Sequence, residues 1–460
     1  MISPTIGTSP VNPALDRARK KAYRRLLPLL LLCFVIAYID RTNVAIAKLT
    51  MTKDLPGFDN AVIGFGAGVF FWGYFLLEIP GAILVEKWSA RKWICRIMIS
   101  WGLMAALTAF VQTPLQFYVV RFCLGLAEAG FFPGVIVYLT HWFPSRDRSR
   151  ALAFFLVGPS IAQIFSPKIS NALLKLGTDE VVNGVTVHHP SWFGLHGWQW
   201  VYIFWGMPAV VLGIVVFFVL KDRPRDAAWL TPEECAALED QLAADKVRTG
   251  AKRFTLLQAF SHPKVLLLAV ALFCAVTCSY GIEFFLPSIL QQWYGLKIDT
   301  ITWLIILPPI LVLAAQLFVG WNSDRTQERR LHAVVPIAVA TLALGLASLT
   351  AGMNLPLTIL CFMLALAGIK AYLPAAWALP SLFLSGTAAA GSIGLINSIA
   401  NLGGFFGPAV LGKVQTLTGS FEGGLYFLCV ASAVSAAILF FMGLGRRPPP
   451  APISSSHPGA

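Results

Sequence analysis

From residue 86 the chain reads Glu86-Lys87-Trp88-Ser89-Ala90-Arg91-Lys92, and from residue 320 it reads Gly320-Trp321-Asn322-Ser323-Asp324-Arg325-Thr326-Gln327-Glu328-Arg329-Arg330. Both stretches run acid, base, spacer, two bases, and each follows the second apolar run of a series. One such stretch is an ordinary solvated turn; two at matching places point to an internal duplication. Outward from them, apolar stretches of about 20 residues, the length that crosses a bilayer, fall near 26–48, 62–85, 93–111, 115–140, 150–174 and 199–220. The series resumes near 264–290, 299–320, 333–352, 356–382, 388–412 and 421–443. The sequence therefore predicts an all-α membrane protein of twelve transmembrane helices in two six-helix bundles.

Composition agrees. Of 460 residues, 57% are hydrophobic and 12% charged, and the mean hydropathy is +0.71, too little polar surface to solvate a folded chain of this size. The net charge of +13 sits in short clusters between apolar runs, which excludes a nucleic-acid binder and reads as a topology signal. Arg17, Arg19, Lys20, Lys21, Arg24 and Arg25 precede the first run, and alternate loops carry Arg91 and Lys92, Arg146 to Arg150, Arg325 to Arg330, then Arg446 and Arg447. Both termini are thus expected in the cytoplasm of a bacterial inner (plasma) membrane protein. The boundaries predicted are a cytoplasmic segment 1–25, a first bundle 26–220, a linker 221–262 with a short capped helix after Thr231, a second bundle 263–443 and a disordered tail 444–460. The eight cysteines are scattered and form no CxxC pair, so no disulfide is expected. His188-His189 lacks further spaced ligands, and Gly407 to Lys413 is followed by Val414 where a phosphate loop needs Ser or Thr. With no catalytic signature either, the chain is expected to be no enzyme and to need no metal or cofactor.

Ionisable groups within hydrocarbon cost roughly 2.5–3.5 kcal/mol each by insertion scales, so each needs a reason. Asp40 and Arg41 lie on the first run, Arg121 and Glu128 on the fourth, Glu283 on the seventh and Lys370 on the tenth. These are the first helices of four three-helix repeats, which symmetry places around one central cavity. Arg121 and Glu128, seven apart, share a helical face. Glu78 reads as structural, and Lys168 as a side chain reaching the outer interface. In the paired loops, Glu86, Lys87, Arg91, Asp324 and Arg325 are expected to form a cytoplasmic latch between the halves.

Four passages carry a family resemblance: Tyr38-Ile39-Asp40-Arg41-Thr42-Asn43, Arg121 to Gly134 (RFCLGLAEAGFFPG), Gly197-Trp198-Gln199-Trp200, and Gly394 to Gly404 (GLINSIANLGG). With them the chain resembles the major facilitator superfamily, and within it the anion:cation symporter family of sugar-acid, tartrate and phthalate carriers. The resemblance implies proton-coupling roles for Asp40 and Glu128, and places Arg41 and Arg121, counted as substrate-binding, at the substrate anion or in the coupling network. It also implies that Tyr38, Tyr74, Gln163, Trp377, Asn397 and Ser398 line the cavity. Lys370, Glu283 and Trp205 depart from the family pattern, and Lys370 is counted among the substrate-binding residues. The expectation is a monomeric secondary transporter that imports an organic anion with protons through the lipid bilayer by alternating access. A sugar acid or tartrate-like hydroxy-dicarboxylate is the substrate expected, an aromatic carboxylate the alternative.

Overall fold

The computed structural model describes residues 12–182, 185–248, 262–379 and 387–444. Residues 1–11, the end of the predicted linker, the turn before the eleventh run and the tail from 445 lie outside the described residues. Among the described residues twelve spans are long and apolar enough to cross a membrane. They are α1 (Pro13–Asp54), α2 (Asn60–Glu78, helical on to Lys87), α3 (Ala90–Phe110), α4 (Pro114–Trp142), α5 (Arg150–Leu174) and α6 (Gly197–Val219), then α7 (Pro263–Tyr294), α8 (Ile298–Thr326), α9 (Arg330–Leu349), α10 (Leu355–Ala378), α11 (Ile393–Thr418) and α12 (Glu422–Phe441). They form two six-helix bundles. Every span presents large apolar side chains outward, for example Leu76, Leu115, Phe165, Phe218, Phe318, Leu342 and Phe441, a belt that only lipid would cover without penalty.

Helix ends follow local chemistry. Asn12 caps α1 by accepting from the Ala14 N–H, and Pro13 supplies a preset φ, so the helix starts well before the first apolar run. Thr113 and Gln116 form a capping box at α4, and Ser89 caps α3. At its far end α1 runs to Asp54, which takes Lys48, expected near a loop, inside the span. A two-stranded antiparallel hairpin, β1 (Asp179–Val182) and β2 (Val185–His188), lies between α5 and α6. The Asn-Gly at 183–184 is a hairpin signal that counting apolar runs passes over. We call this end of the molecule the hairpin side.

The opposite end carries a connecting helix, Pro232–Arg248, capped by Thr231 and Glu234 and docked on the first bundle. Lys21 reaches Glu234 at 2.7 Å, and Trp229 stacks on Trp142 with ring centroids 5.3 Å apart. The Lys21 ammonium and the Thr231 backbone N–H hold the Glu234 carboxyl below the usual carboxylate range.

Glycines set how closely the central helices meet. A Cβ at Gly125 would collide with the Phe70 carbonyl of α2, one at Gly403 or Gly407 with backbone carbonyls of α7, and one at Gly64 with Pro408 across the seam between bundles. Gly407→Leu is therefore expected to cost about 3 kcal/mol or more through forced separation of α7 and α11. Gly394→Ala, with open space around its position, is expected to be neutral or slightly stabilising. Melting temperatures of the two variants in one detergent check this; equal melting would refute the close-packing account.

Candidate functional site

Sequence spacing puts ionisable groups near the middle of α1, α4, α7 and α10, and the fold joins these helices through two polar clusters. In the first, Arg41 of α1 pairs with Glu128 of α4 and donates to the Tyr280 hydroxyl of α7 at 3.0 Å. Its guanidinium carbon lies 5.3 Å from the Phe70 ring centroid, 6.0 Å from that of Phe71 and 5.2 Å from that of Tyr74, an aromatic box that offsets part of its desolvation. Glu128 is the last residue before a true break in α4: Ala129 turns to ψ 136° and Gly130 to φ 85°, a conformation glycine adopts without Cβ strain. The broken helix sets a carboxylate and free backbone groups at membrane depth, where only a cavity or protein partners tolerate them. Glu128 Oε1 serves Arg41 while its Oε2 is buried without a hydrogen bond.

In the second cluster Lys370 Nζ lies 2.7 Å from Glu283 Oε1 and donates to the Tyr38 hydroxyl at 3.1 Å. Tyr38 in turn donates to Glu283 Oε2 at 2.9 Å, and Ser279 donates to Oε1 at 3.2 Å. Lys370 stands in the last turn of the first segment of α10, where free carbonyls favour a cation. Neither cluster belongs to one bundle: Arg41–Tyr280 and Tyr38–Glu283 both cross between them.

The remaining candidates divide. Asp40, next to Arg41 in sequence, faces away from it and accepts from the Trp101 indole at 2.7 Å, because successive helical residues point about 100° apart. Arg121 is fully buried, stacks 5.3 Å from Phe70 and makes one long contact to the Gly66 carbonyl at 3.4 Å, while both its terminal nitrogens lack hydrogen bonds. Of the two central guanidiniums, Arg41 thus has a carboxylate partner and Arg121 has none within ion-pair distance among the described residues. Gln163 of α5 lines a cavity of about 60 Å³ between the bundles together with Asn43 and Glu283. Asn397 and Ser398 of α11 donate to the two oxygens of Glu78 on α2, the second at 3.1 Å. Glu78 therefore ties the bundles together, a stronger part than the structural one its sequence position suggests. Tyr74 is buried against Arg41, and Trp377 packs half-buried in the apolar core rather than in the network.

The paired loops hold their own bundles. Arg91 lies 3.9 Å from Asp222 of the first bundle's end, and Asp222 also accepts from Ser89 and the Arg91 N–H at the start of α3. Asp324 pairs with Arg329 at 2.6 Å, Glu328 accepts from the first N–H groups of α9, and Arg325 stacks over Trp321. The side chains of Glu86 and Lys87 lie outside the described residues. Among the described residues Arg91, Asp324 and Arg325 thus make no latch across the bundles in this state; Arg91 is held at the start of α3, and Asp324 and Arg325 at the end of α8, by partners in their own bundles.

Among the described residues, hydrogen bonds between the bundles other than those of the central clusters and of Glu78 with Asn397 and Ser398 lie on the hairpin side. Asn60 donates to Gln415 at 2.8 Å, the Ala61 N–H to Thr416 at 3.0 Å, and Asn171 to Asp299 at 2.6 Å. Lys168, expected at the outer interface, reaches the Asp299 carbonyl at 3.3 Å over the Trp303 ring, so it joins this seam. Sequence reading missed Tyr280, Trp101, Asn43 and Asp299. The one visible signal for the first was its position three residues before Glu283, about one helical turn from the charge.

The comparisons with known proteins agree with this fold. Residues 30–408 match the family model described as Major Facilitator Superfamily. Over 422 residues the chain is 39% identical to a putative tartrate transporter of Agrobacterium vitis, covering 92% of this chain and 94% of that one. It is 36% identical over 427 residues to the putative metabolite transport protein NicT of Pseudomonas putida, covering 92% and 94%. Among solved structures, the xylose transporter XylE from E. coli in an inward open conformation superposes with a TM-score of 0.71 at 11% identity, covering 92% of this chain and 97% of that one. The chain belongs to the major facilitator superfamily and is an integral membrane protein.

Proposed function

We propose that this member of the superfamily is a proton-coupled importer of a small organic anion, a tartrate-like hydroxy-dicarboxylate or a sugar acid. The observation that carries the reading is the pair of cationic centres inside the membrane, Arg41 with the unpaired Arg121 on one side and Lys370 on the other, set among Asp40, Glu128 and Glu283. Two cations suit two carboxylates, and the hydroxyl and amide groups of Tyr38, Tyr280, Gln163 and Asn43 suit hydroxyls between them. The tartrate transporter's 39% identity supports the substrate class. Basic clusters on the connecting-helix side make that side cytoplasmic, with both termini there, in a bacterial inner membrane; the chain acts as a monomer. The bonded hairpin side is then the closed outer gate, and the loops around Arg91 and Asp324 exchange their local partners for partners across the bundles when the inner side closes.

The cavity of about 60 Å³ that Gln163, Asn43 and Glu283 line holds roughly two waters at about 30 Å³ each. A diacid fits only when the bundles separate, which is alternating access in physical terms. A proton entering down about 100 mV supplies about 2.3 kcal/mol, and each substrate carboxylate entering against that potential costs as much, so the potential drives accumulation only when protons outnumber carboxylates and otherwise the pH difference drives it. The aromatic box around Arg41 favours a second reading, an aromatic carboxylate as substrate. Thermal-shift measurements with tartrate, sugar acids and phthalate-like acids separate the two, and stabilisation by none of them overturns both. Within that screen Arg41→Lys is expected to remain folded and lose most ligand-driven stabilisation, because lysine keeps the charge but not the planar fork. Undiminished stabilisation would remove Arg41 from the substrate.

A further inference from the structure

Lys48 lies on α1 in the half that faces the hairpin side, outside both central clusters, and is only 2% exposed. Its ammonium makes no hydrogen bond and has no carboxylate partner among the described residues. It sits 3.5 Å from the centre of the Phe285 ring, a contact that offsets part of the desolvation and leaves all three N–H donors unused. Lys48 also lines a cavity of about 170 Å³ whose polar wall is Thr52 of α1, Asn60 of α2, and Ser288, Gln291 and Gln292 of α7. That space equals about five to six waters at about 30 Å³ each. No acidic side chain borders it. A buried cation facing a roomy, acid-free cavity with hydroxyl and amide groups is a site that lacks only its anion.

We infer that the Lys48 cavity is a second anion-binding site, separate from the central one, which takes a small hydroxylated carboxylate or a halide ion. Lys48 supplies the charge, and Thr52, Asn60, Ser288, Gln291 and Gln292 supply hydrogen bonds to carboxylate oxygens and hydroxyls or complete the shell of a halide. Its walls come from both bundles, at the seam bonded by Asn60 to Gln415. An anion there touches α1 and α7 together only while the hairpin side is closed, so its occupancy favours that state. The hydroxy-acid form of the inference rests on the function proposed above; the anion site itself does not.

The test uses the full-length purified protein in a halide-free HEPES buffer, titrated separately with radiolabelled tartrate and with bromide. Wild type, Lys48→Met, Lys48→Arg and Arg41→Lys are compared by binding stoichiometry and by melting temperature. Lys48→Met removes a buried charge, so it is expected to fold at least as well as wild type. The expected result is a second binding event that Lys48→Met weakens about tenfold or more, that Lys48→Arg largely retains, and that Arg41→Lys leaves in place. Appearance of that event with tartrate assigns the site to hydroxy acids. Appearance with bromide alone assigns it to halide, and a bromide anomalous peak beside the Lys48 ammonium would locate it. If tartrate binds nowhere while bromide binding still depends on Lys48, the proposed substrate fails and the site stands. If neither anion's binding responds to Lys48→Met, the inference is overturned, whatever Arg41→Lys does.

Discussion

Glu128→Gln is expected to abolish accumulation driven by a proton gradient while leaving substrate exchange intact. Glu128 neutralises Arg41 through one oxygen, and its other oxygen is buried with no partner, a place where a proton can be carried. Protonation weakens the hold on Arg41 and frees the guanidinium for a substrate carboxylate, so proton and substrate load together. Gln copies the protonated acid in shape and hydrogen bonding but cannot release the proton. In proteoliposomes, counterflow of labelled substrate should persist, while gradient-driven accumulation should be lost. Substrate affinity in wild type should rise as pH falls, since protons compete with Arg41 for the carboxylate; in Glu128→Gln it should be flat. Accumulation at the wild-type level would show that another carboxylate carries the proton. Asp40, held by Trp101 rather than by Arg41, would then be the next to test.

The second large effect is expected at Lys370 and Glu283. Removing one partner of a buried ion pair typically costs about 3–5 kcal/mol, because the other charge remains desolvated, whereas replacing both is often near neutral. Here Tyr38 links the two, accepting from Lys370 and donating to Glu283. Lys370→Met would leave Glu283 charged, with only Tyr38 and Ser279 as donors, and is expected to destabilise the protein and weaken binding of a diacid. Glu283→Gln would leave a lone cation facing the cavity, and is expected to retain or tighten diacid binding despite lost stability. The double variant should regain most of the expression and melting temperature lost by either single one. Strictly additive effects across the cycle would show two independent residues, and Lys370 would then be a direct ligand of the substrate rather than half of a pair.

Much of this architecture was legible before any coordinate. Apolar run length and the spacing of basic clusters identified twelve spans, and the paired acid-base loops marked the two halves. The charges at 40, 41, 121, 128, 283 and 370 stood out because hydrocarbon makes each one costly. Three cases needed the tertiary structure for a common reason. Lys48 stood at the end of the first apolar run, 26–48, next to the loop, yet the span continues to Asp54 and buries it. Glu78 looked merely structural, since its partners Asn397 and Ser398 lie more than three hundred residues away. Arg91, Asp324 and Arg325 suggested a latch across the bundles, yet Asp222 and Arg329 are nearer partners in this state.

The sequence by itself determined which segments cross the membrane, that they repeat, and which side chains need a polar partner there. Those properties are local sums: hydropathy over a window, charge per loop, and the cost of one ionised group in hydrocarbon. Only the tertiary structure decided who pairs with whom. Asp40 and Arg41 are neighbours in the chain but leave the helix about 100° apart, so one meets Trp101 and the other Glu128 and Tyr280. Which cation keeps a carboxylate and which stays unpaired, as Arg121 and Lys48 do, follows from how two bundles meet at glycine-lined helix crossings. That docking depends on packing between residues far apart in sequence, which no window along the chain contains.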